Sequence, residues 1–162
     1  MSGLHRFTDE LHAAMVLPPV ADAFAGTINS AAAQMGIYKF LHFLIARGVG
    51  VTGTSTITVE ACSAANGTGA EAIPYSRNKQ APGANTVDTW TGDAIVAAAG
   101  EDTPAGSHSL FVLSVDARDL PDGKPWVRVK GVEVVDSPCA GCIIVIASNA
   151  AFVNPTPVGV LS

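Results

Sequence analysis

The stretch Ile37-Tyr38-Lys39-Phe40-Leu41-His42-Phe43-Leu44-Ile45-Ala46 decides the fold. It is rich in aromatic and β-branched residues, which favour strands. Tyr38, Phe40, His42 and Leu44 fall on one side, with Ile37, Leu41, Phe43 and Ile45 on the other. Both sides are largely apolar, which predicts a strand covered on both faces. Downstream, Ser55 to Cys62 alternates cleanly, with Ile57, Val59 and Ala61 expected inward and Thr56, Thr58 and Glu60 toward solvent. Ser109 to Val115 repeats the pattern, with Phe111, Leu113 and Val115 inward. Cys142 to Ala147 is an unbroken apolar run that predicts a central strand.

Shorter strands are expected at Phe24 to Ser30, Ala72 to Arg77 and Val87 to Trp90. Asp93 to Ala99 is Ala-rich and reads equally as a helical turn or a strand. In Trp126 to Val135, Val127 and Val129 share a face, while Val132 and Val134 fall in the opposite phase. That slip predicts a bulge at Gly131. Asn66-Gly67 and Pro121-Asp122-Gly123 are turn signals. Seven or eight strands joined by turns, with no strand–helix–strand rhythm and no internal repeat, predict an all-β antiparallel β-sandwich or jelly-roll-like barrel.

The ends read differently. Residues 1–25 are expected to form an extended N-terminal arm, with a short helix capped by Thr8, running through Met15 and stopped by Pro18 and Pro19. Leu11, Met15, Val16, Leu17, Pro18 and Pro19 are its candidate partner-binding residues, because so short a helix needs something to pack on. The sandwich domain is expected over 26–149, and 150–162 reads as an extended C-terminal tail. Asp9, Glu10 and the proline pair break up any secretory leader pattern, so no cleaved signal is expected.

The chain has 162 residues, enough for one domain with its own core. Only 14% of residues are charged while 48% are hydrophobic. With a mean hydropathy of +0.34, this implies an apolar, weakly charged surface of the kind that a partner covers. No apolar run approaches the ~18 residues of a membrane helix. The net charge is −5, with nine basic residues scattered singly, which argues against nucleic-acid partners and against a polybasic membrane anchor. Three cysteines cannot all pair within one chain and suit a reducing compartment.

Candidate chemistry is sparse. Cys139-Ala-Gly-Cys142 has the C-x-x-C spacing but leads into a strand, and it lacks the second ligand pair of a structural zinc site. It reads as a turn with two small thiols packed as apolar groups. His5 and His12 would share a face of the arm helix as a weak metal pair, His42 reads as a satisfied core group, and His108 lies in a loop. Asp116, Asp119 and Asp122 lack the order of a calcium loop. They read as a turn in which Asp119 or Asp122 caps amides and Arg118 or Arg128 pairs with them. No phosphate loop or nucleophile elbow is present in the sequence. No enzyme activity, catalytic residue, cofactor or metal is expected.

One further signal is the order of short words. Glu10-Leu-His-x-x-Met15-Val-Leu-Pro-Pro-Val is followed by the 37–46 strand, Thr56-Ile-Thr-Val-Glu60-Ala-Cys and Ala72-Ile-Pro-Tyr-Ser-Arg77. Asp88-Thr-Trp90, Val115-Asp-Ala-Arg-Asp-Leu120 and Trp126-Val-Arg-Val-Lys130 complete the series. Over roughly 10–147 this resembles small virion structural proteins of tailed bacteriophages, of the capsid decoration (cement, minor capsid) type. The Ala-rich 31–35 and 93–99 segments have no counterpart in that resemblance. It implies a β-rich homo-oligomer, commonly a trimer, that binds the major capsid protein lattice and is assembled in the host bacterial cytoplasm. Two alternatives remain. One is a head–tail connector or tail subunit. The other is a carbohydrate- or cell-surface-binding sandwich with Trp90, Trp126 or Tyr75 as a stacking platform.

Overall fold

A computed structural model describes residues 11–48, 52–80, 90–105 and 109–150. They form two antiparallel sheets packed as a sandwich, and the sheets do not close into a barrel. The first sheet holds β1 (His12–Val20), β4 (Tyr38–Arg47), β7 (Tyr75–Gln80), β8 (Trp90–Val96), β10 (Ser109–Asp116) and β12 (Gly141–Ala150). Their spatial order is β1-β12-β4-β10-β7-β8. The second sheet has the order β2-β11-β5-β6, with β2 (Thr27–Asn29), β5 (Thr54–Cys62), β6 (Glu71–Ile73) and β11 (Trp126–Val135). In it β3 (Ala33–Gln34) also pairs with β11, and β9 (Glu101–Asp102) with β5. Twelve strands among the described residues exceed the seven or eight expected. Elements as short as β3 and β9 carry no alternation for a sequence reading to find.

The core follows the period of two. Leu41, Phe43 and Ile45 of β4 meet Phe111, Leu113 and Val115 of β10 and Ile143 and Val145 of β12, all buried. From the other sheet come Ile57, Val59, Val127 and Val129. β12 is flanked by β1 and β4, so the apolar run at Cys142 to Ala147 does lie inside a sheet. The inward and outward faces of β4 divide as read from Phe40 to Ile45, but only the inward one is closed, and Ile37, expected inward, precedes the strand and is 41% exposed. Phe40, His42 and Leu44 remain half-buried on the outer face, while Tyr38 at the start of the strand packs against the core.

Three local expectations are overturned. The arm helix is not formed over 12–15: His12–Val20 is a strand paired with β12, with register shifts at Met15/Leu17 and Leu17/Val20. Adding a sixth strand satisfies backbone groups over nine residues, which an isolated helical turn cannot match. Thr8 and His5 lie outside the described residues. Gly131 carries no bulge. It pairs in register with Ile57 and Ile28, and the shift comes later, between Glu133 and Val135. Val132 and Val134 simply point outward, at 38% and 56% exposure. The glycine leaves room for its neighbours, because a Cβ there would lie 3.1 Å from Ile28 Cγ1 and 3.3 Å from Phe24 Cδ1. Finally, Glu60 faces outward yet is buried, held by Arg128 Nη2 at 2.7 Å and Lys130 Nζ at 3.5 Å.

The turns form as expected. Gly67 and Gly123 sit at φ +83° and +75°, and Asn66 Oδ1 accepts from the Thr68 amide at 3.0 Å. Asp93 to Ala99 resolves as strand through Val96. Of the strand expected at Val87 to Trp90 and the tail expected over 150–162, Trp90 opens β8 and Ala150 closes β12, while Val87 to Thr89, His108 and 151–162 lie outside the described residues.

Candidate functional site

The outer face of the first sheet carries the side chains that the core does not use. Residues paired directly across antiparallel strands point to the same face. One rung crosses all six strands: Ala13, Ile146, His42, Ser114, Ser76 and Ile95. The next rung reads Met15, Ile144, Leu44, Val112 and Asn78. On the opposite side of the His42 rung, Ser148, Phe40 and Asp116 share a third. The face therefore divides diagonally. Toward β1 and β12 it is apolar, and toward β7 and β8 it is polar.

The polar half is a recess of about 710 Å³. His42 stands at its floor, with Nδ1 2.8 Å from Ser114 Oγ and Nε2 3.1 Å from Ser148 Oγ. Burial lowers its pKa, so the neutral ring is favoured. In that form one ring nitrogen donates and the other accepts. Phe40 stacks beside it, with centroids 6.0 Å apart. Across the recess Asp93 Oδ1 accepts from Ser76 Oγ at 3.2 Å and from the Asn78 side-chain Nδ2. Asp116 accepts from the Arg118 amide at 2.9 Å and pairs with its guanidinium, capping the 3-10 turn Ala117–Asp119. Those bonds hold its carboxyl at about 2, below the usual carboxylate range.

The expected site residues disperse. Of the arm set, Val16 is buried in the core, and Leu17 packs against it. Met15 is 56% exposed, and Pro18 and Pro19 lie on the surface of an edge strand. Leu11 is half-buried ahead of β1. His12 rests against Tyr38, with centroids 6.3 Å apart, on a strand rather than a helix. Trp90 and Trp126 lie on different sheets, and Tyr75 is buried with its hydroxyl donating to Ile57 O at 3.0 Å, so these three form no platform. Cys139 is buried with Sγ 3.5 Å from Gly48 O, and Cys142 begins along β12 as a free thiol. Arg128 pairs with Glu60 across β5 and β11, not with the Asp116–Asp122 turn, and Asp116 rather than Asp119 or Asp122 is the cap there. Sequence reasoning missed the Ser114–His42–Ser148 bridge because its outer members lie 72 and 106 positions from the histidine. Outward polar residues inside apolar strands were its only trace.

Among the described residues no three His, Cys, Asp or Glu side chains gather as a metal group, and no helix is long and apolar enough to cross a membrane. No protein-family model matches the chain, and no curated protein matches it. Among solved structures it is similar to the crystal structure of SPBc2 prophage-derived protein YomS, with a TM-score of 0.44 and 14% identity. That alignment covers 86% of this chain and 94% of the other. A likeness at this level carries no argument about what the present chain does.

Proposed function

We propose that the chain is a non-enzymatic structural protein of a bacteriophage virion, and within that class a capsid decoration protein. In this reading it sits on the capsid surface as a homo-oligomer, a trimer, bound to the major capsid protein lattice. One observation carries it: the apolar half of the outer face. Met15, Leu44, Leu110, Val112, Ile144 and Ile146 come from four adjacent strands of one sheet, none is charged, and none belongs to the buried core. Met15 is 56% exposed and the other five are half-buried, and a contiguous apolar surface of this kind marks an interaction face. A sheet face is rigid and nearly flat, which suits repeated docking on a lattice. The low overall charge and the resemblance over 10–147 agree with such a role.

Quantitative mass spectrometry of particles purified from the source lysate tests it. Copy numbers near those of the major capsid protein are expected. About six or twelve copies, the count of a closed ring, would assign a connector or tail subunit instead. Absence from the particle would end the structural reading. An Ile144→Asp variant should fold and melt like the parent yet fail to bind particles.

A further inference from the structure

We propose that the polar half of the same face is a binding site for a neutral, polyhydroxylated ligand, a saccharide of one or two residues. The inference goes beyond the assembly role and stands without it. The recess of about 710 Å³ lies within the usual size of small-ligand pockets, roughly 300–1,000 Å³. Its floor is built on hydrogen-bonded strands, so its groups are fixed before a ligand arrives.

The chemistry of the floor is matched to hydroxyls. A neutral His42 gives a proton to one serine and takes one from the other. The serine that accepts keeps its own O–H to donate outward. The serine that donates keeps its lone pairs to accept. The bridge thus presents one oriented donor and one oriented acceptor on either side of a ring, a complement to neighbouring sugar hydroxyls, each of which both donates and accepts. Asp93 adds a carboxylate whose recorded bonds come from Ser76 and the Asn78 side-chain Nδ2, both to Oδ1. A carboxylate has about four lone-pair positions, so it retains acceptor capacity for further hydroxyl donors.

The walls supply the other half of sugar recognition. Phe40 lines one side. Ile95, on the edge strand β8, lines another and is 78% exposed. These offer apolar surface to the C–H face of a pyranose.

Charge narrows the class. Among the described residues no lysine or arginine lines the recess, which disfavours phosphate, sulfate or acidic sugars. Of its three carboxylates, Asp93, Asp116 and Asp119, Asp116 is already paired with the Arg118 guanidinium and Asp93 accepts from the Ser76 and Asn78 side chains. A neutral ligand then needs no counter-charge. Tyr75 also lines the recess, with its hydroxyl committed to Ile57 O, whereas Trp90 and Trp126 are not among its lining residues.

The test uses the whole protein on an array of neutral mono- and oligosaccharides, including glucose, galactose, N-acetylglucosamine and rhamnose units. Hits are followed by NMR titration up to about 10 mM, which saturates even a millimolar site. Binding is expected, with shifts at Phe40, His42, Asn78, Asp93, Ser114 and Ser148. Asp93→Asn and the double change Ser114→Ala with Ser148→Ala should each weaken it about tenfold or more while melting as the parent does. Absence of any hit overturns the proposal, as does binding that survives both variants unchanged. Spermine binding at the same residues in place of sugars would also overturn it and reassign the recess to cations. Particle binding measured in parallel separates this site from the assembly face.

Discussion

His42 and Ser114 are direct cross-strand partners on β4 and β10, and the imidazole Nδ1 lies 2.8 Å from the serine oxygen. The pair fixes the ring between two hydroxyls on a face that is otherwise split between apolar and polar halves. What looks like a lone histidine in an apolar strand is a half-buried group with both nitrogens satisfied.

That arrangement makes stability depend on pH in one direction. Burial lowers the His42 pKa from 6.5, so at a given pH below that value the unfolded chain binds more protons than the folded one. Stability from this group is complete above about pH 6.5 and declines as pH falls through 6.5 toward the folded value. Thermal melts between about pH 7.5 and pH 5 should show the decline, and His42→Gln should flatten it. Parallel profiles for the two proteins would sink the idea.

The ion pair on the second sheet carries more weight than surface pairs do. Glu60 is nearly buried, and Arg128 reaches the same carboxylate oxygen with Nε at 2.8 Å and Nη2 at 2.7 Å. Arg128→Ala removes the closer partner and leaves that carboxylate only Lys130 Nζ at 3.5 Å, and we expect a loss of about 1–3 kcal/mol in urea unfolding. Replacing both partners together, Glu60→Gln with Arg128→Met, should cost less than Arg128→Ala alone. Gly67→Ala should also destabilise, because its Cβ would fall 2.1 Å from Arg128 Nη1 at a φ of +83°.

Gly131 is limited by packing rather than by backbone conformation. Its φ lies outside the left-handed region, and its missing Cβ faces Ile28 and Phe24. Gly131→Val is expected to cost about 1–3 kcal/mol through overpacking, with Gly131→Ala milder. Pairing it with Ile28→Ala should recover part of the loss. A conformational glycine would show no such rescue.

The first sheet has two unlike edges. β1 carries Pro18 and Pro19 just before its last residue, Val20, and shifts register twice, which blunts it against further pairing. Pro18→Thr with Pro19→Thr restores two N–H donors and should raise concentration-dependent self-association in light scattering. Unchanged scattering would mean that the prolines serve the chain path alone.

Much of the fold is legible in the residues because burial in a sandwich repeats every second position. Leu41, Phe43, Ile45, Ile57, Val59, Phe111, Leu113 and Val115 are identifiable as core before any strand is paired, and all are buried. The turns at Asn66-Gly67 and Pro121-Asp122-Gly123 are legible for a different reason: their backbone demands are met by a few residue types. The arm misleads because helix caps and proline stops are local signals. The deciding term, a sheet edge offered by β12, lies more than 120 positions away.

The sequence by itself determined which side of β4, β5 and β10 faces the core, and that the domain would be built of antiparallel strands rather than helices. Only the tertiary structure decided who stands next to whom. It brought Ser114 and Ser148 to either side of His42, set Arg128 over Glu60, and gathered Met15, Leu44, Val112 and Ile144 into one apolar half-face. The physical reason is that inward positions are fixed by a short period along one chain. Outward positions acquire their chemistry from strands paired across long separations, and nothing local encodes that pairing.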